Sequence, residues 1–410
     1  MLDGRQGPAA ALAMSIVARM AEVAGAAELL DITAAHIDST LYIGDAGLEF
    51  AERLAGLGAQ VAVPTTLNVS GVDEQHWQEW AVPADWAAKA RRQMTAYASM
   101  GTIPTWTCAP YQTEHRPVFG QQVAWGESNA IVFANSVIGA RTERYPDLLD
   151  VCCAITGRVP AVGLHLDQHR AGQVLVRLAN VPPALQADDA LYPVLGHLLG
   201  RLTGDRIPVL EGLDARPDED QLKALGAGAA SSGAVALFHV VGVTPEAPTL
   251  EAAFRGTAPE AVIDVDLPRL RAARAELTQA SGDRLDMVVL GSPHCSLPEL
   301  RKLAPLLRGR RRATGVELLV TTSRAVAALA DHEGLLEPLR AFGGRLTVDT
   351  CILASPMLPP GIRHLMTSSA KFAYYTPGLL DRPMTFGSLE DCIRSAEAGR
   401  VVRDETPWEG

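Results

Sequence analysis

Short apolar runs along the chain stop repeatedly at polar, hydroxyl-rich residues and give way to stretches with helical spacing. Residues 287–290 run into Gly291-Ser-Pro-His-Cys295, 316–320 into Thr321, Thr322 and Ser323, 346–348 into Asp349, Thr350 and Cys351, and 364–366 into Thr367, Ser368, Ser369 and Lys371. The stretches between, 297–307 and 325–342, carry apolar residues at helical spacing. Strand and helix therefore alternate, which predicts the α/β class with parallel sheets. Ligands of such sheets bind beyond the carboxyl ends of the strands. Cys295, Thr322, Cys351 and Ser369 are accordingly expected on one rim. Ser296-x-x-Glu299, with Pro298 in the first turn, is a capping-box signature. It puts Cys295 just before a helix N-terminus, where a thiolate is favoured.

The first half follows the same grammar. An amphipathic helix is expected over 9–30, a brief strand over 29–34 leading to His36-Ile-Asp-Ser39, and a helix over 48–57 stopped by Gly58. A strand over 60–63 should end in Pro64-Thr-Thr-Leu-Asn68. Residues 74–100, with Trp77, Trp80 and Trp86, predict one or two surface helices, and 101–111 brings Cys108 into a proline-bounded loop. In the middle, strands are expected over 159–166, over 207–210 and from 234 into a Thr-Pro-Glu loop ending at 246, and a helix over 191–202. With no linker, low-complexity stretch or repeat in sight, three packed α/β domains are expected: 1–155, 156–285 and 286–410.

Composition narrows the function classes. The 410 residues are 48% hydrophobic and 20% charged, as in ordinary globular proteins. No run approaches the roughly 20 apolar residues of a membrane span, and the N-terminal helix lacks a signal-peptide layout, so a cytoplasmic protein with no membrane partner is expected. A net charge of −11, without a basic stripe interleaved with aromatics, argues against nucleic acid. Only four of the 36 basic residues are lysines, and one of them, Lys371, sits among polar loop residues.

Six cysteines in a chain of this kind argue against a disulfide framework. Cys152, Cys153 and Cys392 lie in apolar helical stretches and read as packing. Cys108, Cys295 and Cys351 lie beside turn-forming or hydroxyl residues, which suits a shared metal or cluster site as well as a reactive thiol at Cys295. The absence of a CxxC pair argues against a zinc ribbon. Around residues 125–142, Glu127, Ser128, Asn129, Arg141 and Thr142 are what a small-carboxylate site would use: a guanidinium for the anion and neutral donors around it. Thr66, Asn68 and Ser369 end predicted strands and join them as candidate substrate-binding residues.

The residues resemble the large subunit of aconitase X over about 36–378. The resemblance rests on Gly47-Leu-Glu-Phe-Ala-Glu52, Val63-Pro-Thr-Thr-Leu-Asn68, Thr107-Cys-Ala-Pro-Tyr111, Trp125-Gly-Glu-Ser-Asn-Ala130, Gly139-Ala-Arg-Thr142, Phe238-His-Val-Val-Gly-Val-Thr-Pro-Glu-Ala247 and Gly291-Ser-Pro-His-Cys295. It implies an aconitase-like fold with the site at a domain interface, and a hydro-lyase whose iron–sulfur cluster, of 2Fe-2S or 4Fe-4S type, is held by Cys108, Cys295 and Cys351. An exposed iron would act there as a Lewis acid on the substrate hydroxyl. Members dehydrate cis-3-hydroxy-L-proline or mevalonate 5-phosphate. The composition favours hydroxyproline or a similar small hydroxy acid here, with mevalonate 5-phosphate and a non-catalytic metabolite-binding subunit as alternatives. A chain of this length is expected to work as a heterodimer with a separate small subunit carrying the swivelling domain and a catalytic serine. Lys371 and His36 are the candidate catalytic residues in this chain.

Overall fold

The computed structural model describes residues 1–80, 82–112 and 115–409, which form two compact units. The first comprises residues 1–170 and the segment 349–358; the second comprises 171–348 and 359–410.

The first unit is built on three parallel strands in the order β3-β2-β4, where β2 is Ala34–Ile37, β3 is Thr65–Leu67 and β4 is Val123–Trp125. His36 aligns with Thr66 on one side and Trp125 on the other. A short antiparallel pair, β1 (Leu29–Asp31) with β5 (Arg158–Pro160), forms a separate two-stranded sheet in the unit. Helix Pro8–Val23 lies against helix Leu149–Thr156, burying Ala9, Ala13, Val17 and Ala21 at intervals of four, as the 3.6-residue period requires. The strand expected over 60–63 is displaced to β3. The amides of Val61 and Ala62 bond instead to the Met100 and Ala154 carbonyls at helix ends, so they join no ladder.

The second unit holds two parallel sheets. One, in the order β8-β7-β6-β9, uses β6 (Val174–Leu178), β7 (Pro208–Glu211), β8 (His239–Val240) and β9 (Ala261–Val265). The other, in the order β12-β11-β10-β13-β14, uses β10 (Met287–Cys295), β11 (Glu317–Thr322), β12 (Arg345–Thr347), β13 (Leu365–Thr367) and β14 (Met384–Phe386). Its core is fully buried Val288, Leu318 and Val320 with Leu303, Leu307 and Phe342 from the covering helices. Parallel sheets covered on both faces need such unbroken apolar strands. Helices Leu191–Thr203 and Glu219–Ser232 touch backbone to backbone: a Cβ at Gly196 would lie 2.1 Å from the Leu225 carbonyl oxygen.

Three further predicted elements differ from the structure. The run over 234–246 yields only two strand residues, since Gly242 turns the chain with φ +75° and bonds to the Ala247 carbonyl. The run over 159–166 forms β5 and then 3-10 turns at Gly163–His165 and Asp167–His169. The helix over 325–342 splits into Arg324–His332 and Leu336–Phe342 around Gly334, whose φ is +70°. No helix among the described residues is long and apolar enough to cross a membrane.

Candidate active site

In the first unit the carboxyl ends of β2, β3 and β4 deliver Asp38, Asn68 and Gly126-Glu127 to one rim. The turn after β2 is held from beneath by Asp150, which is 1% exposed. Its Oδ2 accepts the amides of Asp38 at 2.6 Å and Ser39 at 3.1 Å, and its Oδ1 accepts the Ser39 hydroxyl. Burial raises the Asp150 pKa, and these donors hold it down in turn. Asn68 bonds through its own amide to the Ile37 carbonyl at 2.9 Å and donates its side-chain NH2 to Asp38 Oδ1.

His36 is fully buried, and its Nδ1 lies 2.8 Å from the Thr66 hydroxyl. Burial drops its pKa to about 3, so the ring is neutral at ordinary pH. Thr66 is 2% exposed and faces this ring.

Past β4, Glu127 caps helix Ser128–Phe133 by accepting the Ala130 amide at 2.8 Å, and it also accepts from the Asn129 side chain and, at 3.3 Å, the Ser128 hydroxyl. Asn129 donates to the Cys108 carbonyl at 2.7 Å and accepts from the Tyr111 hydroxyl. The loop bearing Cys108 is thereby tied to the β4 rim, and the Thr107 amide, bonded to the Leu67 carbonyl, ties it to β3. Arg141 is 6% exposed, and its guanidinium bonds to Asp167 at 2.8 Å and the Gly139 carbonyl at 2.6 Å. Thr142 is fully buried and exchanges hydrogen bonds with Trp125 and Asn135. Among these candidates Ser128 alone is partly exposed.

The segment 349–358 brings Cys351 into this unit, through a parallel bridge between Ser70 and Thr350 and the Ser70 amide bonded to the Asp349 carbonyl at 2.6 Å. Cys351 is thus grouped with the first unit, although it follows β12 in the chain. The chain leaves that sheet at Asp349, which takes a left-handed φ of 65°.

In the second unit Cys295, Thr322 and Ser369 do end neighbouring strands, β10, β11 and β13. The Thr322 hydroxyl donates to the Cys295 carbonyl at 2.6 Å. Ser296 and Glu299 form the expected capping box of helix Leu297–Leu307. Ser369 caps helix Ala370–Leu380 and bonds to the Ser292 carbonyl, with half-buried Lys371 in the first turn of that helix. A cavity of about 110 Å³ is lined by Cys295, Ser292, Ser369, Lys223, Asp220 and Glu299 among others. Lys223, missed in the sequence, is 2% exposed and sits 3.0 Å from Asp220 with Glu299 on its other side. An isolated lysine in a glycine- and alanine-rich helix was the available signal.

No cysteine among the described residues is in a disulfide, and within either unit no group of three or more His, Cys, Asp or Glu gathers in the geometry of a metal site. The donor chemistry fits an iron–sulfur cluster. Thiols are its ligands, two of the three are carried by the segments tied to the β3 rim, and the buried Ser70 hydroxyl on that rim, able to donate to sulfur, lacks a hydrogen-bond partner among the described residues.

Comparison with known proteins agrees over the whole chain. Residues 1–168, 172–275 and 285–398 match the first, second and third domains of aconitase X. The cis-3-hydroxy-L-proline dehydratase of Pseudomonas aeruginosa is 50% identical over all of this chain, which spans 70% of that protein. The phosphomevalonate dehydratase large subunit of Methanothermobacter thermautotrophicus is 38% identical over 96% of each chain. The crystal structure of Thermococcus kodakaraensis aconitase X in its holo-form superposes with a TM-score of 0.84 at 35% identity, covering 96% of this chain and 97% of that one. The chain belongs to the aconitase X family.

Proposed function

We propose that this chain is the large, catalytic subunit of a cytoplasmic hydro-lyase that removes water from cis-3-hydroxy-L-proline, and that Cys108, Cys295 and Cys351 hold its iron–sulfur cluster. The observation that carries the reading is the 50% identity over all of this chain with the Pseudomonas aeruginosa dehydratase, of which it spans 70%, against 38% with the archaeal phosphomevalonate relative. The reaction breaks C–H at ring carbon 2 and C–O at carbon 3, forms the double bond between them, and gives a pyrroline carboxylate and water. A bound cluster would supply Lewis acidity toward the leaving hydroxyl.

The chain's own residues supply binding and order. Asn68 and Ser128 present donors and acceptors at the β2-β3-β4 rim. Glu127, Asn129, Arg141 and Thr142, already committed to caps, carbonyls and Asp167, act by fixing the segments that carry Cys108 and Ser128. His36 and Thr66 belong to that support as well, because a fully buried neutral ring is placed to hold β2 against β3. Lys371 is the group we assign to the substrate carboxylate, its helix fixed by the Ser369 cap. The archaeal relatives are named as large subunits, which supports a small partner subunit here.

The test is anaerobic purification, alone and with the small subunit, followed by iron and sulfide analysis, a visible spectrum and mass-spectrometric detection of water loss from cis-3-hydroxy-L-proline. Brown protein that dehydrates hydroxyproline, and bleaches on Cys108→Ala, Cys295→Ala or Cys351→Ala, is expected. Colourless, iron-free protein from both preparations would sink the cluster assignment. Turnover of mevalonate 5-phosphate alone would sink the substrate.

A further inference from the structure

A charge in the protein interior gives up its hydration, and its pairing contributes little stability over well-packed apolar groups. Lys223 is such a charge. It lies in the second unit, 2% exposed, 3.0 Å from Asp220 and against Glu299, with the His294 carbonyl oxygen 3.5 Å from its Nζ. Glu299 belongs to the capping box at Ser296, but such a box needs no buried cation. Two others among the described residues, Asp218 with Gln221 and Ser388 with Asp391, have Lys302 and Arg394 beside them, each 41% exposed.

What sets this box apart is the cysteine before it. Three successive backbone groups around Cys295 are held by side chains. The His294 carbonyl faces Lys223, the Cys295 carbonyl accepts the Thr322 hydroxyl at 2.6 Å, and the Ser296 amide donates to Glu299 at 2.7 Å. Asp220, the other partner of Lys223, accepts the Ser296 hydroxyl at 2.7 Å. Lys223 therefore meets the Cys295 turn directly and through both of its carboxylates. Its helix, Glu219–Ser232, cannot easily follow a displaced turn, because a Cβ at Gly228 would lie 2.8 Å from the His197 amide nitrogen and 2.9 Å from the Pro193 carbonyl oxygen of the neighbouring helix. Lys223 and Cys295 also line one cavity of about 110 Å³, and the ammonium is close enough to the cysteine to interact with its charge. Away from bulk water such an interaction is weakly screened.

We propose that Lys223 is a positioning residue for the iron–sulfur cluster: it braces the turn that carries Cys295 and sets a fixed positive charge beside that thiolate, which favours the more reduced cluster. Net charge and hydrogen bonds around the ligands tune the potential of such a cluster, and the groups that hold the ligands govern how firmly the metal is kept. The inference rests on the reading of Cys295 as a cluster ligand and deepens it.

The test uses the anaerobically loaded chain with its small subunit, and it reads the midpoint potential from the visible spectrum during dithionite titration and the iron retained against a chelator. Lys223→Met removes a positive charge, so its potential is expected to fall, and the chelator concentration that strips half the iron should drop roughly 10- to 100-fold. Glu299→Gln removes a negative charge and should move the potential the opposite way. Lys223→Arg keeps the charge and should restore the wild-type potential, and Lys302→Met, an exposed cation on the same cavity, should leave it unchanged. If Lys223→Met does not fold by circular dichroism, Glu299→Gln and Lys223→Arg carry the test. Shifts of the same sign in Lys223→Met and Glu299→Gln, iron loss at an unchanged potential, or a Lys223→Arg protein that behaves as Lys223→Met would overturn the assignment and leave the cluster reading in place. A colourless, iron-free wild type would overturn both.

Discussion

Lys223 and Glu299 form an ion pair inside the second unit, and the same Glu299 oxygen closes the capping box at Ser296, the residue after Cys295. Burial works against the charge on Lys223, but Glu299 and Asp220 outweigh it and raise its pKa. Ser296 completes the link by donating from its hydroxyl to Asp220 at 2.7 Å. A cation 2% exposed thus ties helix Glu219–Ser232 to the turn that carries Cys295.

Removing one partner of such a pair strands the other. Lys223→Met is expected to destabilise the protein by about 3 kcal/mol, the low end for a broken buried pair, because Glu299 keeps 30% exposure. Lys223→Met combined with Glu299→Gln should cost less than the two singles together, since neither charge is then abandoned. Urea unfolding of the four proteins measures the coupling. Strict additivity would show that the pair is only a surface contact.

The β-α alternation from residue 287 onward was legible because each strand is a buried apolar run with a clean polar stop; β10, β11 and β13 and the Ser296 cap follow directly from it. The return of 349–358 to the first unit was not legible, because it depends on long-range pairing of Ser70 with Asp349 and Thr350 and leaves no local periodicity. The polar cluster 127–142 was visible as chemistry, but its wiring was hidden. Nothing in the sequence says that Arg141 meets Asp167 or that Asn129 meets the Cys108 carbonyl. Asp38 lay within a noted motif and gained meaning only beside Asn68 and Asp150.

Two buried histidines make stability depend on pH. His36 and His165 both have pKa values pushed down to about 3 by burial, with the Arg170 charge adding to the effect at His165. Between the unfolded value near 6.5 and 3, the unfolded chain binds protons that the native protein excludes. Stability is therefore complete above about pH 6.5 and is lost as pH falls, each histidine contributing a loss of about 1.4 kcal/mol between pH 7.5 and 5.5. Denaturant unfolding at the two pH values should show this loss, reduced by about half in His165→Gln. Ring resonances of either histidine that titrate near pH 6.5 in the folded protein would contradict the burial argument.

Asp150 makes a separate prediction for the first unit. Asp150→Ala leaves the Asp38 and Ser39 amides without their buried acceptor, at a cost of about 2–4 kcal/mol by the penalty for stranded donors. Asp150→Asn keeps the shape and one acceptor, so its loss should be smaller. A melting series of the three proteins checks the order, and equal stability of Asp150→Ala and the wild type would show that water replaces the carboxylate.

Gly291 bears on Cys295 through space alone. Its φ of +98° is left-handed, and a Cβ there would lie 2.2 Å from the Thr321 carbonyl oxygen and 3.1 Å from Cys295 Sγ. The carbonyl belongs to β11, which is bonded along β10 and cannot yield cheaply. Gly291→Ala must therefore shift the strand end or twist the backbone out of its region, costing about 2–4 kcal/mol from strain and overpacking together. The shift falls on Cys295, four residues along the same strand. Gly291→Ala should thus lower both the unfolding midpoint and the iron retained per chain, whereas Gly309→Ala, also at positive φ but with open space around its Cβ, should lower stability alone. Equal iron in the two variants would show that the position of Cys295 does not depend on the gap at Gly291.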